Sequence, residues 1–147
     1  MSSSSLAAWT TLTVHSGITG EYVPAADLSA DVIRECFEVN AIAPLVLFQA
    51  TRTLLLKSKK PIFVGMSTIS ATISAMEHIP VPVTAYGASK AAFNSIVRRI
   101  HFENTEITSF VLHPGWVCLR TSPINDTVLI IPRFKLIWEM EEQGHLV

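Results

Sequence analysis

IFVGMSTISATISAMEHIPVPVTAYGASKAAFNSIVRRIHFENTEITSFVLHPG, residues 62–115, sets the architecture of this chain. Ile62–Met66 is a short apolar run closed by polar residues, the pattern of a buried strand. Tyr86–Glu103 carries Ala88, Ala92, Ile96 and Ile100 at four-residue spacing, the stripe of an amphipathic helix. Ile107–His113 reads as another buried strand, stopped by Pro114-Gly115. Between the first strand and the helix lies Ser67–Thr84, which reads as a long hydroxyl- and proline-rich loop; loops of that length in a compact domain usually serve function. Working outward toward the N-terminus, Lys57–Pro61 is a basic, proline-ended stop. Before it, Val32, Cys36, Val39, Ala43, Leu47, Ala50 and Leu54 keep a three-to-four spacing and predict a helix of roughly seven turns. Ser29 is its expected N-cap, Asp31 suits the positive end of the helix dipole, and Pro44 predicts a kink. Leu12–His15 is an expected first strand, followed by a loop at Ser16–Gly20. The order strand–helix–strand–helix–strand, with no hairpin signal, predicts a parallel α/β sheet whose ligands bind beyond the carboxyl ends of the strands.

Residues 1–11, rich in Ser, Ala and Thr, are expected to be poorly ordered. Residues 12–117 carry the α/β rhythm, and 118–147 form a divergent tail with an apolar stretch at Val128–Ile131 and a short helix expected at Phe134–Glu142. The chain has 147 residues, 49% hydrophobic and only 16% charged. Charge is low against a soluble average of about 25%, which argues against intrinsic disorder and for apolar surface that something covers. With a net charge of −1 and no basic stripe, the composition speaks against nucleic-acid binding. The longest apolar run, Ala41–Phe48, is far short of the roughly 20 residues of a membrane span. Two cysteines and five scattered histidines have no metal-type spacing, so no metal site is expected. No basic n-region or apolar h-region follows Met1, so the expected location is cytoplasmic.

Tyr86 and Lys90 stand at i and i+4 on one helix face. An ammonium beside a phenol favours the phenolate and lowers the tyrosine pKa from about 10. Such a phenol can protonate a carbonyl oxygen or take a proton from an alcohol. Asn40 falls on the apolar face of its helix, where a buried amide needs partners.

In combination these motifs resemble the short-chain dehydrogenase/reductases. Tyr86-Gly-Ala-Ser-Lys90-Ala-Ala is similar to the family's active-site helix, and Phe37-Glu-Val-Asn-Ala-Ile-Ala-Pro-Leu45 to the helix bearing its asparagine. Phe63-Val-Gly-Met-Ser-Thr68 is similar to the strand ending at the catalytic serine, and His113-Pro-Gly-Trp-Val117 to the P-G-x-V loop. Val83–Ala91 with Arg99–Asn104 looks most like fungal members of the norsolorinic acid ketoreductase type. The resemblance covers roughly Leu12–Val117 and implies a partial Rossmann-like parallel sheet.

It further implies an NADP-dependent ketoreductase of fungal aromatic polyketide metabolism acting on a small-molecule carbonyl substrate. Tyr86 would be the acid, Lys90 would orient the ribose, and Asn40 would hold a relay water. Thr68 or Ser70 would polarise the carbonyl, with Ser67 able to reach the same place. Tyr86, Lys90, Asn40, Pro114, Gly115 and Val117 would contact NADPH, while Met76, Trp116 and the C-terminal segment would line the substrate side. The two long helices would form a homodimer or heterodimer interface. The family's glycine-rich T-G-x-x-x-G-x-G turn does not occur in the sequence, and His15-Ser16-Gly17 stands where N-A-G is usual. The chain therefore reads as the second half of such an enzyme, with a truncated, cofactor-deficient pseudoenzyme or interaction partner as the alternative.

Overall fold

The computed structural model describes residues 9–115, 119–121, 127–129 and 135–136. Strands β1 (Thr11–Val14), β2 (Ile62–Met66) and β3 (Thr108–His113) lie side by side and parallel, with Thr11 opposite Ile62 and Ile62 opposite Thr108. These are the expected segments, displaced by one residue at β1 and at the start of β3. Of residues 1–11, expected to be poorly ordered, 1–8 lie outside the described residues, while Thr11 already pairs in β1.

Three segments differ from expectation. The first long helix is not a single kinked rod. It runs as α1 (Ala30–Phe37), a wider turn over Glu38–Ile42 with π-type hydrogen bonding, and α2 (Ala43–Leu55). The cause is local, because Pro44 has no N–H to give the Asn40 carbonyl. The helix responds by widening, and the Ala43 N–H reaches back to Glu38 rather than Val39. The stretch expected as a structureless loop contains tight 3₁₀ turns at Ile69–Ala71 and Ile73–His78. Past residue 117, Leu119–Thr121 (β4) pairs antiparallel with Thr127–Leu129 (β5). Lys135–Leu136 (β6) pairs antiparallel with the end of β3, where a helix over Phe134–Glu142 was expected. At Lys135–Leu136 the backbone joins the end of β3 and the weak helical spacing does not decide the structure; the rest of 134–142 lies outside the described residues.

Ser29 caps α1 as expected, its hydroxyl accepting from the Asp31 N–H at 3.2 Å. Asp31 in turn holds Arg34 at 2.6 Å. Helix α3 (Thr84–Glu103) follows the 3₁₀ turns and packs on α1 and on the widened turn, so both long helices cover the same face of the sheet. The core between them holds Phe48, Leu55, Phe63, Phe93, Val97 and Val111, all nearly inaccessible. Phe48 and Phe63 meet edge-on at 5.1 Å, and Phe93 lies flush on the middle of β2. Gly65 makes that contact possible, since a Cβ there would stand 2.6 Å from the Phe93 ring. Among the described residues no helix is long and apolar enough to cross a membrane, and no group of His, Cys, Asp or Glu could hold a metal ion.

Candidate active site

Four elements converge at the carboxyl ends of β1 and β2. Tyr86 is the third residue of α3 and half-buried, and its phenol is close enough to the Thr68 side chain, two residues past β2, for Thr68 to lower its pKa. Thr68 is buried, and its hydroxyl also accepts the Ser70 N–H at 3.2 Å. Of the three hydroxyls left open by the sequence, Thr68 is the one that acts on the Tyr86 phenol. Ser67 faces elsewhere, donating to Asn94 at 2.6 Å. The Ser70 carbonyl rests on α3 at Gly87, where a Cβ would come within 2.6 Å of that oxygen. A glycine in a helix normally weakens it, and here it lets the helix and the Thr68–Ser70 turn approach each other.

Lys90, one turn along from Tyr86, is only 3% exposed. Its ammonium donates to the carbonyl of Met66 at 2.9 Å and of Ser16 at 3.1 Å, the ends of β2 and of the chain leaving β1. Burial lowers the Lys90 pKa to about 8. The expectation that Lys90 depresses the tyrosine is corrected here. Burial pushes the Tyr86 phenol above its ordinary value, the Thr68 hydrogen bond pulls it down, and Tyr22 pushes it up. The i, i+4 spacing brings the two side chains to one face, yet the strand-end carbonyls capture the ammonium.

Asn40 is completely buried in the widened turn. Its carbonyl oxygen accepts the Ile18 N–H at 2.8 Å, and its amide donates to the Ile18 carbonyl and to Ser89 Oγ, both at 2.9 Å. Ser89 passes the connection on by donating to the Tyr86 carbonyl at 2.8 Å. Asn40 thus ties the loop after β1 to the turn of α3 that carries Tyr86. Ser89, Ser16, Ile18 and Gly17 were not singled out as site residues from the sequence. Ser89 sits inside the Tyr86–Lys90 motif, which was the available signal, whereas Ser16 and Ile18 act through backbone that no side chain announces. Pro114 and Gly115 follow β3 beyond its carboxyl end, and Gly115 adopts φ +78°, open to glycine without strain. Val117 and Trp116 lie outside the described residues.

Beside Tyr86 and Thr68 is a cavity of about 550 Å³, within the usual range for a small-molecule site. Ile73, Met76, Ile79, Val81 and Ala88 form much of its wall, and no ionisable side chain lines it. Ser70 and Gly87 border it, while Tyr86 and Thr68 stand just behind them rather than in its wall. Met76 lines this cavity.

The Lys90 amine makes stability depend on pH. At neutral pH it is charged in both the folded and unfolded chain, and the cost of burying that charge is present in full. Between about pH 8 and 10.5 the folded chain has released the proton and the unfolded chain has not, so stability rises with pH. We expect a gain on the order of 1 kcal/mol from about pH 7 to 9 in denaturant titrations, absent in Lys90→Met. Cys36, whose thiol burial pushes up, contributes the opposite slope at higher pH in both proteins, so the difference isolates Lys90.

The family model for short chain dehydrogenases matches residues 9–123. The chain is 41% identical over 106 residues to a norsolorinic acid ketoreductase of Dothistroma septosporum, covering 70% of this chain and 40% of that protein. It is 42% identical over 96 residues to that of Aspergillus parasiticus, covering 64% and 35%. Among solved structures, a carbonyl reductase from Pseudomonas aeruginosa PAO1 in complex with NADP superposes with a TM-score of 0.64 at 32% identity, covering 82% of this chain and 51% of that one. The chain spans about 40% of the length of the curated relatives it matches. Parallel strands ending at Met66 and His113, a Tyr86–Lys90 helix and a family match over most of the chain lead to one assignment: this protein belongs to the short-chain dehydrogenase family.

Proposed function

We propose that the chain carries the proton-transfer half of an NADPH-dependent ketoreductase of fungal secondary metabolism, acting on an aromatic polyketide-like ketone. The observation that carries this reading is the convergence of Tyr86, Thr68 and the buried Lys90 at the strand ends, where Lys90 donates to the Met66 and Ser16 carbonyls, beside an apolar cavity. NADPH, when bound, supplies the hydride that a ketone needs. The residues present suit its nicotinamide–ribose end. Gly17 leaves open beside Lys90 Nζ a space that a Cβ would fill at 3.2 Å, and Lys90 is a donor at that point. Gly115 allows backbone to come close to a flat ring. Asn40 and Pro114 complete this set, with Val117 as the family pattern has it.

In the reaction, the ketone oxygen accepts hydrogen bonds from Thr68 and Tyr86 as negative charge develops on it. Tyr86 then gives up its phenolic proton, leaving an alcohol. Its raised pKa keeps the phenol protonated at neutral pH, the state that reduction requires. Lys90 maintains positive potential beneath the site while holding the two strand-end carbonyls. Asn40 keeps the loop after β1 in register with α3, and its own carbonyl, freed by Pro44, is where a relay water would dock.

The test is oxidation of NADPH by norsolorinic acid with the purified chain, together with a calorimetric NADPH titration. Turnover and micromolar binding support the proposal. No binding at millimolar NADPH would favour the reading as an interaction partner without redox chemistry. The same sample tests assembly: Ile42, Val46 and Leu47 lie exposed along the widened turn and α2, and we expect a dimer by sedimentation at tens of micromolar, lost in Val46→Glu.

A further inference from the structure

Side chains alternate along a strand, so Phe63, Gly65 and Ser67 share the face of β2 that meets the helices. At this end of the strand α3 grips three successive residues. The Phe93 ring lies on Gly65, the Lys90 ammonium donates to the Met66 carbonyl at 2.9 Å, and the Asn94 side-chain oxygen accepts from the Ser67 hydroxyl at 2.6 Å. Asn94 stands one turn past Lys90 and two past Tyr86, on the same stripe of the helix. Ser67 is buried, and its bond to Asn94 is at the short end of the O–H···O range. Serine hydroxyls commonly bond to backbone close by in sequence, whereas this one reaches a side chain 27 residues away.

Ser67 is also where the sheet stops directing the chain. Its N–H donates to the Leu112 carbonyl at 2.7 Å, just past the last paired residues, Met66 and Leu112. Thr68, the next residue, opens the 3₁₀ turn. Its hydroxyl accepts the Ser70 N–H at 3.2 Å, and its carbonyl accepts the Ala71 N–H at 3.1 Å. The far side of that turn rests on α3, with the Ser70 carbonyl against Gly87, the residue after Tyr86. Between the Leu112 bond and the Gly87 contact, a rotation about the Ser67 backbone would swing Thr68 out of line. The Ser67–Asn94 bond opposes that rotation.

We propose that Asn94 is a positioning residue for the reaction: by accepting the Ser67 hydrogen bond it sets the rotation of the strand end and so aims the Thr68 hydroxyl at the place where a ketone oxygen meets Tyr86. Asn94 acts at one remove, through Ser67. The link to the ketone rests on the ketoreductase reading above, whereas the hold on Thr68 is read by amide exchange without any substrate.

Asn94→Leu removes the acceptor, keeps a side chain of similar size and favours the helix more than asparagine does, while Ser67→Ala removes the donor. In either variant of the full chain the Ser70 and Ala71 amides, both bonded to Thr68, should exchange with solvent roughly tenfold faster. Amides of the β2–β3 ladder should change by no more than about twofold, since the loosening is local. A bond that served stability alone would speed all of them alike. In ketone reduction kcat should fall roughly tenfold, with Kd for NADPH within about twofold of wild type, the pattern of a lost transition-state contact. The double variant should lose no more than the worse single one, because the two side chains make one bond. Uniformly faster exchange, unchanged exchange at Ser70 and Ala71, wild-type kcat in Asn94→Leu, or losses that add in the double variant would overturn the proposal. If the exchange pattern holds and the wild-type chain never oxidises NADPH with a ketone, the ketoreductase reading falls and Asn94 keeps its hold on Thr68.

Discussion

Replacing Tyr86 by phenylalanine is expected to lower kcat for ketone reduction by about 10²–10⁴-fold, the usual contribution of a positioned general acid. The substitution removes one oxygen and keeps the ring, so the half-buried site at the start of α3 stays filled. What disappears is the transferable proton. NADPH affinity should change little, because Lys90, which would carry the ribose contact, is held by Ser16 and Met66 rather than by the phenol. A fall in kcat with an unchanged Kd for NADPH is the pattern of an interaction made only in the transition state. Thr68→Val should cost less, since it removes a second donor to the developing oxyanion without removing the proton. The pH profile carries further information. Because burial raises the phenol, reduction should hold up through neutral pH, and oxidation of an alcohol by NADP, which needs the phenolate, should climb with pH toward and beyond 10. Wild-type kcat in Tyr86→Phe would remove the acid role and the ketoreductase mechanism with it.

Much of this arrangement can be read from the sequence for definite physical reasons. Ile62–Met66 and Ile107–His113 are continuous apolar runs because strands of a parallel sheet are covered by helices, and such runs have few other uses in a short domain. Ser29 caps α1 through chemistry confined to three residues, so local sequence suffices. The Tyr86–Lys90 spacing fixes a shared helix face for the same reason. Other features depend on partners distant in sequence. Pro44 announces a disturbed helix, but the spacing does not show that the widened turn brings Asn40 to Ile18, 22 residues earlier. Lys90 turns to strand-end carbonyls 24 and 74 residues away, and helical spacing carries no trace of them. The proton affinity of Tyr86 follows from burial and from Tyr22, again set by the fold. Even β6 is a two-residue pairing with β3, too short for a pattern of its own.

Asn40→Ala is expected to cost about 3 kcal/mol of stability, seen as a lower denaturant midpoint with an unchanged slope. The magnitude comes from three buried side-chain hydrogen bonds at 2.8–2.9 Å, each worth about 1 kcal/mol net. The removal also leaves the N–H and carbonyl of Ile18 facing a site from which their partner has gone. For a domain with about 5–15 kcal/mol in hand, that is a large fraction. The loss should not stop at the loop. Ser89 accepts from Asn40 and donates to the Tyr86 carbonyl, so slack introduced at Asn40 reaches the first turn of α3, where Tyr86 must meet Thr68. Ser89→Ala removes the far end of the same chain of bonds and should cost about 1 kcal/mol by itself. If Asn40 and Ser89 act as one unit, the double variant loses less than the sum of the two, with a coupling near 1 kcal/mol. Additive losses would mean that Asn40 secures only the loop after β1, and that α3 positions Tyr86 through its packing on the 69–71 turn at Gly87 instead.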